Sequence, residues 1–192
     1  MILSHEYKFV CLNPPKTGSG FRERTLKEYA DLSIKTNKTL HLRHWNSSQA
    51  SNYIKSINEN PDDYYWFTFV RNPLERIVSW INMRQKNMIR SINIDVKEFT
   101  VECLIKNPLK NYIYRDGELL DFIGSLENIT EDLNFVLSEL NIDLEIEPKK
   151  VKKDTCKKQS KEEIRNRMSR EVIEMIADAE KEIIKMKGYK IE

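Results

Sequence analysis

Residues 8–20 read KFVCLNPPKTGSG, and this stretch sets the type of fold. Its first five residues form a short apolar run with aromatic and β-branched side chains, which predicts a buried strand. Residues 13–20 contain two prolines and two glycines and therefore predict a loop. Residues 21–30 predict a helix. The chain thus begins with a strand, a loop and a helix.

The strongest strand signal lies at residues 64–70, which read YYWFTFV. Both alternating faces of this run are apolar, which is typical of a central parallel strand covered on both sides. Arg71, Asn72 and Pro73 end the strand, and proline is favoured at the first position of a helix. The helix that follows has one apolar stripe, formed by Leu74, Ile77, Val78 and Ile81.

The rest of the chain continues to alternate between strands and helices. Further strands are predicted at residues 39–42 and 119–126. Helices are predicted at residues 47–57, 96–106 and 130–140. The alternation favours a central parallel sheet flanked by helices on both faces, in one α/β domain.

A long amphipathic helix is predicted near the end of the chain, where Ser160 and Glu163 form a capping box and Gly188 ends the helix. Its apolar residues recur three and four positions apart. They are Ile164, Met168, Val172, Ile176, Ala179, Ile183 and Met186. No composition shift marks a domain boundary, so residues 1–192 are expected to form a single domain.

The composition excludes several classes of protein. The chain is 40% hydrophobic and 32% charged, with a net charge of only +2, so no global field favours nucleic acid. Cys11, Cys103 and Cys156 are odd in number and far apart, which predicts no metal site and a reducing compartment. No window has the length and hydropathy of a membrane span. We therefore expect a cytoplasmic protein, in the absence of a separate membrane anchor, whose oligomeric state stays open.

The loop after the first strand has the features of an anion site. Ligands of open α/β sheets bind beyond the carboxyl ends of the strands, where this loop lies. Gly18 and Gly20 let backbone amides come close to a ligand, at the start of the next helix. Lys16 adds a positive charge, and Thr17 and Ser19 add hydroxyl donors. A phosphate or phosphosulfate suits this loop, and the alternative is a plain strand-to-helix turn.

The loop differs from the nucleotide-binding pattern G-x-x-x-x-G-K-[ST], in which lysine follows the glycines, because Lys16 precedes them. Phosphoryl-transfer enzymes of that type also need an aspartate at a strand end to help hold Mg²⁺. The strongest strand ends in Arg71 instead. These departures favour a metal-free site that neutralises its anionic ligand with arginine and lysine.

Arg71 and Ser79 form a second candidate site. Arg71 closes the central strand, and Ser79 follows eight residues later, two turns into the next helix. Arginine is suited to bidentate phosphate binding, so a second phosphate is the expected ligand. The alternative is that Arg71 caps local carbonyl groups and that Ser79 only packs. Arg76 is interpreted as structural.

Two segments, PKTGSG at residues 15–20 and FVRNPLERIVSW at residues 69–80, resemble sulfotransferases that use 3′-phosphoadenosine 5′-phosphosulfate (PAPS). The similarity is to the carbohydrate sulfotransferase branch of that family. Its first motif is usually P-K-T-G-[GS]-[ST], and its second, R-[ND]-P-x-x-R-x-x-S, is matched here at every defined position. Weaker similarity extends to residues 121–128 and to Gly188-Tyr189.

The resemblance implies a P-loop-like fold, PAPS as the sulfuryl donor, adenosine 3′,5′-bisphosphate as the product and no metal. In the family the first motif binds the 5′-phosphosulfate, and the second, here through Arg71 and Ser79, binds the 3′-phosphate. Lys16 would also stabilise charge on the leaving phosphate. The residues carried over from the first motif are Pro15, Lys16, Thr17, Gly18, Ser19 and Gly20.

Two positions depart from the family pattern. Gly20 stands where the family usually has Thr or Ser, so one hydroxyl ligand of the 5′-phosphate is missing and backbone amides would have to compensate. Ser125 stands where relatives often have Arg. The Lys-rich residues 148–161 are interpreted either as a solvated loop or as a segment in which Lys152 and Lys153 close over the donor or attract an anionic acceptor. Nonspecific binding of nucleic acid is a third alternative, which the lack of clustered aromatic residues disfavours.

The acceptor hydroxyl needs a general base, and histidine titrates in the useful range. His5 precedes the first strand and is expected at the surface. In some relatives a histidine after the second strand is the base, a position that His41 fits best, with His44 in reserve. The alternative is that both are ordinary surface residues.

The expected acceptor is a hydroxyl of a carbohydrate or of a small alcohol, and neither nucleic acid nor a membrane is an expected partner. Two other functions stay open. One is a P-loop nucleotide kinase-like enzyme, which strict Mg²⁺ dependence would indicate. The other is a non-catalytic module that binds an adenosine bisphosphate without turnover.

Overall fold

The structure is a computed structural model that describes residues 1–32, 43–87, 94–147 and 161–191. Its residues fall into two compact units, each with its own core. The first takes in the described residues of Met1–Val70 and Leu109–Pro148, and the second those of Arg71–Pro108 and Lys149–Glu192. The single-domain assignment stays a prediction. The predicted strand at residues 39–42 and the capping residue Ser160 lie outside the described residues.

The strands and helices take their names in chain order. The strands are β1 (Ile2–Ser4), β2 (Phe9–Leu12), β3 (Tyr65–Val70), β4 (Tyr114–Arg115), β5 (Glu118–Leu119) and β6 (Phe122–Ser125). The helices are α1 (Ser19–Thr25), α2 (Ser47–Ser56), α3 (Pro73–Asn87), α4 (Val96–Lys106), α5 (Ile129–Glu139), α6 (Lys161–Asn166), α7 (Arg170–Ala179) and α8 (Lys181–Lys187). Short 3₁₀ helices form at Lys27–Tyr29, Pro61–Asp63 and Leu109–Tyr112.

The first unit is built on a sheet with the strand order β1-β2-β3-β6. β2 pairs in parallel with β3, and β3 pairs in parallel with β6, which confirms the predicted parallel core. β1 is antiparallel to β2, so the central sheet is parallel at β2, β3 and β6 and antiparallel at this one edge. Residues 5–8 return the chain directly, and so short a connection permits only an antiparallel pair.

Both faces of this sheet are covered, as the apolar run of β3 predicted. Val10 and Leu12 belong to a cluster that includes Ile54 of α2, while Phe9 and Cys11 belong to a cluster with side chains of α5. Successive strand residues point to opposite faces, which places the two clusters on the two sides. The sheet is therefore flanked by helices, and Cys11 is a buried apolar residue as predicted.

The strand predicted at residues 119–126 is divided in two. Leu119 ends a small hairpin in which β4 pairs with β5 across Asp116 and Gly117. Both turn residues have positive φ, 52° and 93°, as a two-residue hairpin of the common type requires. The Asp-Gly pair was the available sequence signal for this hairpin. Only β6 then joins the main sheet.

The second unit packs α3, α4, α6 and α7 around one apolar cluster. Asn72 begins α3, because its Oδ1 accepts hydrogen bonds from the amides of Leu74 at 3.0 Å and Glu75 at 3.3 Å. Pro73 occupies the first helical position, as predicted. The stripe predicted for this helix is buried: Leu74, Ile77, Val78 and Ile81.

The long helix predicted at the end of the chain is instead three helices, α6, α7 and α8. Ser169 starts α7 by accepting a hydrogen bond from the amide of Val172 at 3.3 Å. Glu180 separates α7 from α8 and is buried, because it pairs with an arginine of α3. An ion pair thus interrupts the apolar pattern. Ala179 and Met186 are exposed, whereas Gly188 ends α8 with φ 63° as predicted.

Candidate functional site

The loop between β2 and α1 contains two residues in the left-handed conformation. Lys16 has φ 69° and Gly18 has φ 82°, while Thr17 between them does not have positive φ. This conformation costs a non-glycine residue roughly 1–2 kcal/mol. Alternation of left-handed with other residues turns successive backbone amides toward one side, which is the geometry of an anion-binding nest. Lys16, Ser19 and Gly20 are all partly exposed.

Gly18 is required by its surroundings as well as by its φ. A Cβ atom at this position would lie 2.5 Å from Cδ1 of Leu126 and 3.2 Å from Cδ1 of Ile129. Gly20 is different, because a Cβ atom there would meet Nη1 of Arg24 at 3.7 Å, an ordinary contact. Space therefore does not explain why Gly20 replaces the hydroxyl residue that the family pattern has.

Arg22 holds the loop from inside, a role that the sequence did not reveal. Its side chain is 0% exposed, and its guanidinium lies 4.9 Å from the centre of the Phe69 ring. Nε and Nη2 donate to Oδ1 of Asn13 at 3.1 and 2.9 Å, and Nη1 donates to the carbonyl oxygen of Thr17 at 2.5 Å. One rigid group thus connects the end of β2, the loop and α1.

The positive charge of Arg22 is offset by a buried carboxylate, that of Glu23. Glu23 is 5% exposed and accepts a hydrogen bond from Nδ2 of Asn13 at 3.3 Å. Burial lowers the pKa of Arg22, and the neighbouring Cys11 and Glu23 act in the opposite direction. The residues Asn13, Arg22 and Glu23 form a buried polar network, which we call the loop brace.

Thr17 belongs to the interior of the loop. Its hydroxyl donates to the carbonyl oxygen of Pro14 at 2.8 Å and accepts from Nη2 of Arg22 at 3.2 Å. The side chain is 0% exposed, and Pro15 is buried beside it. In this conformation Thr17 can offer a ligand its backbone amide rather than its hydroxyl.

His44 lies against the same loop. Its Nδ1 is 2.7 Å from the carbonyl oxygen of Asn13. A carbonyl can only accept, so Nδ1 carries the hydrogen and Nε2 of the neutral ring carries the lone pair. The backbone is also held, since the hydroxyl of Tyr112 donates to the carbonyl oxygen of His44 at 2.9 Å. The imidazole is therefore oriented and in the tautomer that can take up a proton at Nε2.

The other two histidines are His41 and His5. His41, the preferred candidate base, lies outside the described residues, as do Lys152 and Lys153. His5 is partly buried, with Nδ1 2.6 Å from the hydroxyl oxygen of Tyr64. The predicted roles of His41 and His44 stay predictions.

Arg71 and Ser79 both belong to the second unit. Nη2 of Arg71 donates to Oε2 of Glu75 at 3.2 Å, one helical turn into α3. Arg71 is 12% exposed and Glu75 18%. Glu75 also pairs with Arg165 of α6. Ser79 is partly exposed and lies one turn beyond Glu75 on the same face of α3.

The contacts of Arg76 are structural, in agreement with the role predicted from the sequence. It is 1% exposed, and its Nη1 lies 3.0 Å from Oε1 of Glu180, which is 3% exposed. Its Nη2 donates to the carbonyl oxygen of Asn107 at 2.5 Å, and the guanidinium lies 5.4 Å from the centre of the Trp80 ring. These contacts join α3 to the residue between α7 and α8.

Ser125, the other departure from the family pattern, serves local structure. Its amide donates to Oδ2 of Asp132 at 2.6 Å, and its hydroxyl accepts from the amide of Asn128 at 3.3 Å. It therefore links the end of β6 to the start of α5. The preceding residue, Gly124, has to be glycine, because a Cβ atom there would lie 2.6 Å from Cε1 of Phe69.

The described ranges contain neither a cluster of metal ligands nor a membrane-spanning helix. No group of three or more His, Cys, Asp or Glu side chains in these ranges is placed to hold a metal ion. No helix in the described part of the chain is both long enough and apolar enough to cross a membrane.

Comparison with known proteins identifies the family. Residues 1–116 match the model of a family described as the sulfotransferase family. Neither the curated proteins nor the solved structures gave a match. The matched region covers more than half of the 192 residues and includes both motifs. This chain therefore belongs to the sulfotransferase family.

Proposed function

We propose that this sulfotransferase takes its sulfuryl group from PAPS and transfers it to a hydroxyl of a carbohydrate or a small alcohol, as the carbohydrate branch of the family does. The observation that carries the proposal is the loop between β2 and α1. Two left-handed residues and a buried brace hold its amides and Lys16 in one arrangement. Such an arrangement suits a phosphosulfate, which is a compact dianion.

Within this proposal each segment has its own task. The amides of residues 18–20 and the side chain of Lys16 hold the 5′-phosphosulfate of the donor. Arg71 and Ser79 hold the 3′-phosphate, because guanidinium matches phosphate oxygens in pairs. PAPS supplies an activated sulfuryl group whose departure leaves charge on the 5′-phosphate. Lys16 stabilises that charge.

The acceptor hydroxyl must lose a proton as it attacks. His44 is the described histidine that lies against the loop, and its Nδ1–H is held by the carbonyl oxygen of Asn13. Its Nε2 can therefore take the proton from the acceptor. His41 remains the alternative base.

The proposal is tested by calorimetric titration with adenosine 3′,5′-bisphosphate in the absence of Mg²⁺, compared with ADP, with ATP, and with ATP in the presence of Mg²⁺. Wild type should prefer the bisphosphate. Arg71→Ala and Lys16→Ala should each weaken its binding about tenfold or more, since each removes a charge-assisted contact of about 1.5–3 kcal/mol. Lys27→Ala, which removes an exposed lysine from the 3₁₀ helix that follows α1, should have no effect.

Other outcomes would contradict the proposal. Equal or better binding of ATP with Mg²⁺ would instead indicate the kinase-like alternative. Indifference to both Arg71→Ala and Lys16→Ala would remove the assigned donor contacts. Tight bisphosphate binding without sulfuryl transfer to any carbohydrate or alcohol in a broad acceptor panel would indicate the non-catalytic binding module.

A further inference from the structure

Two arginines of the second unit converge on one carboxylate. Nη2 of Arg71 donates to Oε2 of Glu75 at 3.2 Å, while Nη2 of Arg165 pairs with Oε1 of the same side chain. Arg71 precedes α3, and Arg165 lies on α6, ninety positions from Glu75 along the chain. The tertiary fold therefore brings together two guanidinium groups that the sequence separates widely.

The charges of this cluster leave it attractive to an anion. Among the contacts that the structure describes, two guanidinium groups share one carboxylate, and a carboxylate carries fewer acceptor sites than a phosphate does. Arg71 is 12% exposed and Glu75 18%, so the Coulomb attraction is screened less than at an open surface. Arg165 is 48% exposed, which leaves its side chain within reach of solvent and of a solute.

The cluster adjoins the residues already proposed for the 3′-phosphate. Arg71 is one of its members, and Ser79 lies one helical turn beyond Glu75 on the same face of α3. Glu75 binds Arg71 through one carboxylate oxygen and Arg165 through the other, and this pre-organisation reduces the entropy that each would lose on binding a ligand.

We infer that Arg165 is a further ligand of the donor's 3′-phosphate, acting with Arg71 and Ser79. This inference rests on the proposed PAPS dependence. It adds a binding residue from α6 that neither motif contains. It also gives the second unit two arginine contacts with one phosphate, a geometry that favours a dianionic phosphate over a neutral 3′-hydroxyl.

The test is calorimetric titration of Arg165→Ala with adenosine 3′,5′-bisphosphate and with ADP, which has no 3′-phosphate. Bisphosphate binding should weaken about tenfold or more, whereas ADP binding should stay at the wild-type value. Arg170→Ala is the matched control. It removes another arginine of the same unit, which is 92% exposed. In the described contacts this arginine pairs only with Glu174, one helical turn away, so the variant should leave both affinities unchanged.

Arg165→Lys separates charge from geometry. It keeps the charge but not the planar fork, so its bisphosphate affinity should lie between those of wild type and Arg165→Ala. The inference would be overturned if Arg165→Ala bound the bisphosphate as Arg170→Ala does. Equal weakening of bisphosphate and ADP binding would also overturn it, because that result indicates a structural role.

The same titrations distinguish this inference from the function on which it rests. If wild type fails to prefer the bisphosphate over ADP, the proposed PAPS dependence fails. If wild type prefers the bisphosphate and Arg71→Ala loses that preference while Arg165→Ala retains it, only the role of Arg165 fails.

Discussion

Two glycines of the loop, Gly18 and Gly20, have different surroundings. Gly18 has φ 82°, and a Cβ atom there would come within 2.5 Å of Leu126. Gly20 lies inside α1 and has room for a side chain, its nearest contact being Arg24 at 3.7 Å. Backbone conformation and close packing thus demand glycine at the first position and not at the second.

We expect the same substitution to have opposite effects at these two positions. Gly18→Ser should lower the free energy of unfolding by about 2 kcal/mol, because it adds a clash to an unfavourable φ. Gly20→Ser should raise it by roughly 0.5 kcal/mol, because serine is the better helix former. Gly20→Ser should also tighten adenosine 3′,5′-bisphosphate binding by restoring a hydroxyl donor. Urea denaturation and calorimetry measure the two quantities, and equal destabilisation by the two substitutions would contradict the structure's account.

The ring of His44 is oriented by its hydrogen bond to Asn13. If Nε2 is the base, His44→Ala should lower kcat about 10²- to 10⁴-fold and leave the affinity for adenosine 3′,5′-bisphosphate within about twofold of wild type. The assay follows sulfuryl transfer to an acceptor found in a carbohydrate and alcohol screen. His41→Ala is the paired variant, and a loss of kcat there with none in His44→Ala would assign the base to His41.

At the scale of elements, the loop brace ties β2 to α1. α1 has only seven residues, too few to be stable without tertiary contacts. Arg22 supplies these contacts through Asn13 and Thr17, and its guanidinium lies over Phe69 of the neighbouring strand. The shape of the candidate phosphosulfate loop therefore depends on a residue that need not touch the ligand.

Replacing Arg22 should disturb both stability and donor binding. Arg22→Ala leaves Glu23 and the polar atoms of Asn13 buried without this partner, and we expect a loss of about 3–5 kcal/mol in the free energy of unfolding. Arg22→Lys should retain part of the stability, but it cannot reproduce the forked contacts and should still weaken bisphosphate binding. Arg24→Ala, on the exposed side of α1, is the control and should change stability by less than about 0.5 kcal/mol. A brace variant as stable as this control would refute the assigned role.

At the scale of the whole molecule, each compact unit has its own apolar core and its own buried thiol. Cys11 lies in the sheet of the first unit, and Cys103 lies among the helices of the second. Burial raises the pKa of Cys11 from 9.0 to about 11 and that of Cys103 from 9.0 to about 12. Both thiols therefore stay protonated, and unreactive, well above neutral pH.

These pKa values predict that stability falls at alkaline pH. Above about pH 9 the unfolded chain releases thiol protons that the folded chain keeps, so the stabilisation is complete below pH 9 and is lost as pH rises toward 11 and 12. Lys8, Tyr64 and Tyr65 also have raised pKa values and act in the same direction. Urea denaturation between pH 7 and about pH 10.5 should show a smaller decline in a Cys11→Ala, Cys103→Ala variant than in wild type. An unchanged pH dependence would show that the thiols do not contribute.

Most elements could be predicted from the sequence because their signals are local. The run at residues 64–70, which is apolar on both faces, predicted the central strand that the structure has at Tyr65–Val70. The periodicity of residues 96–106 predicted α4 with the bounds that the structure has. Both motifs were visible for the same reason, since PKTGSG and the segment from Arg71 to Ser79 are each continuous in the chain. The match of the sulfotransferase family to residues 1–116 bears out the resemblance that they carry.

Features that depend on residues distant in sequence could be read only from the folded chain. Glu180, which lies between α7 and α8, pairs with Arg76, 104 residues away along the chain. Helical periodicity alone cannot predict such a pair. It indicates which face of a helix is apolar, but not which residue a buried charged side chain pairs with. The contacts of Glu75 with Arg165 have the same origin. Short-range pattern thus predicts the elements and the motifs, whereas long-range packing decides which side chains support them.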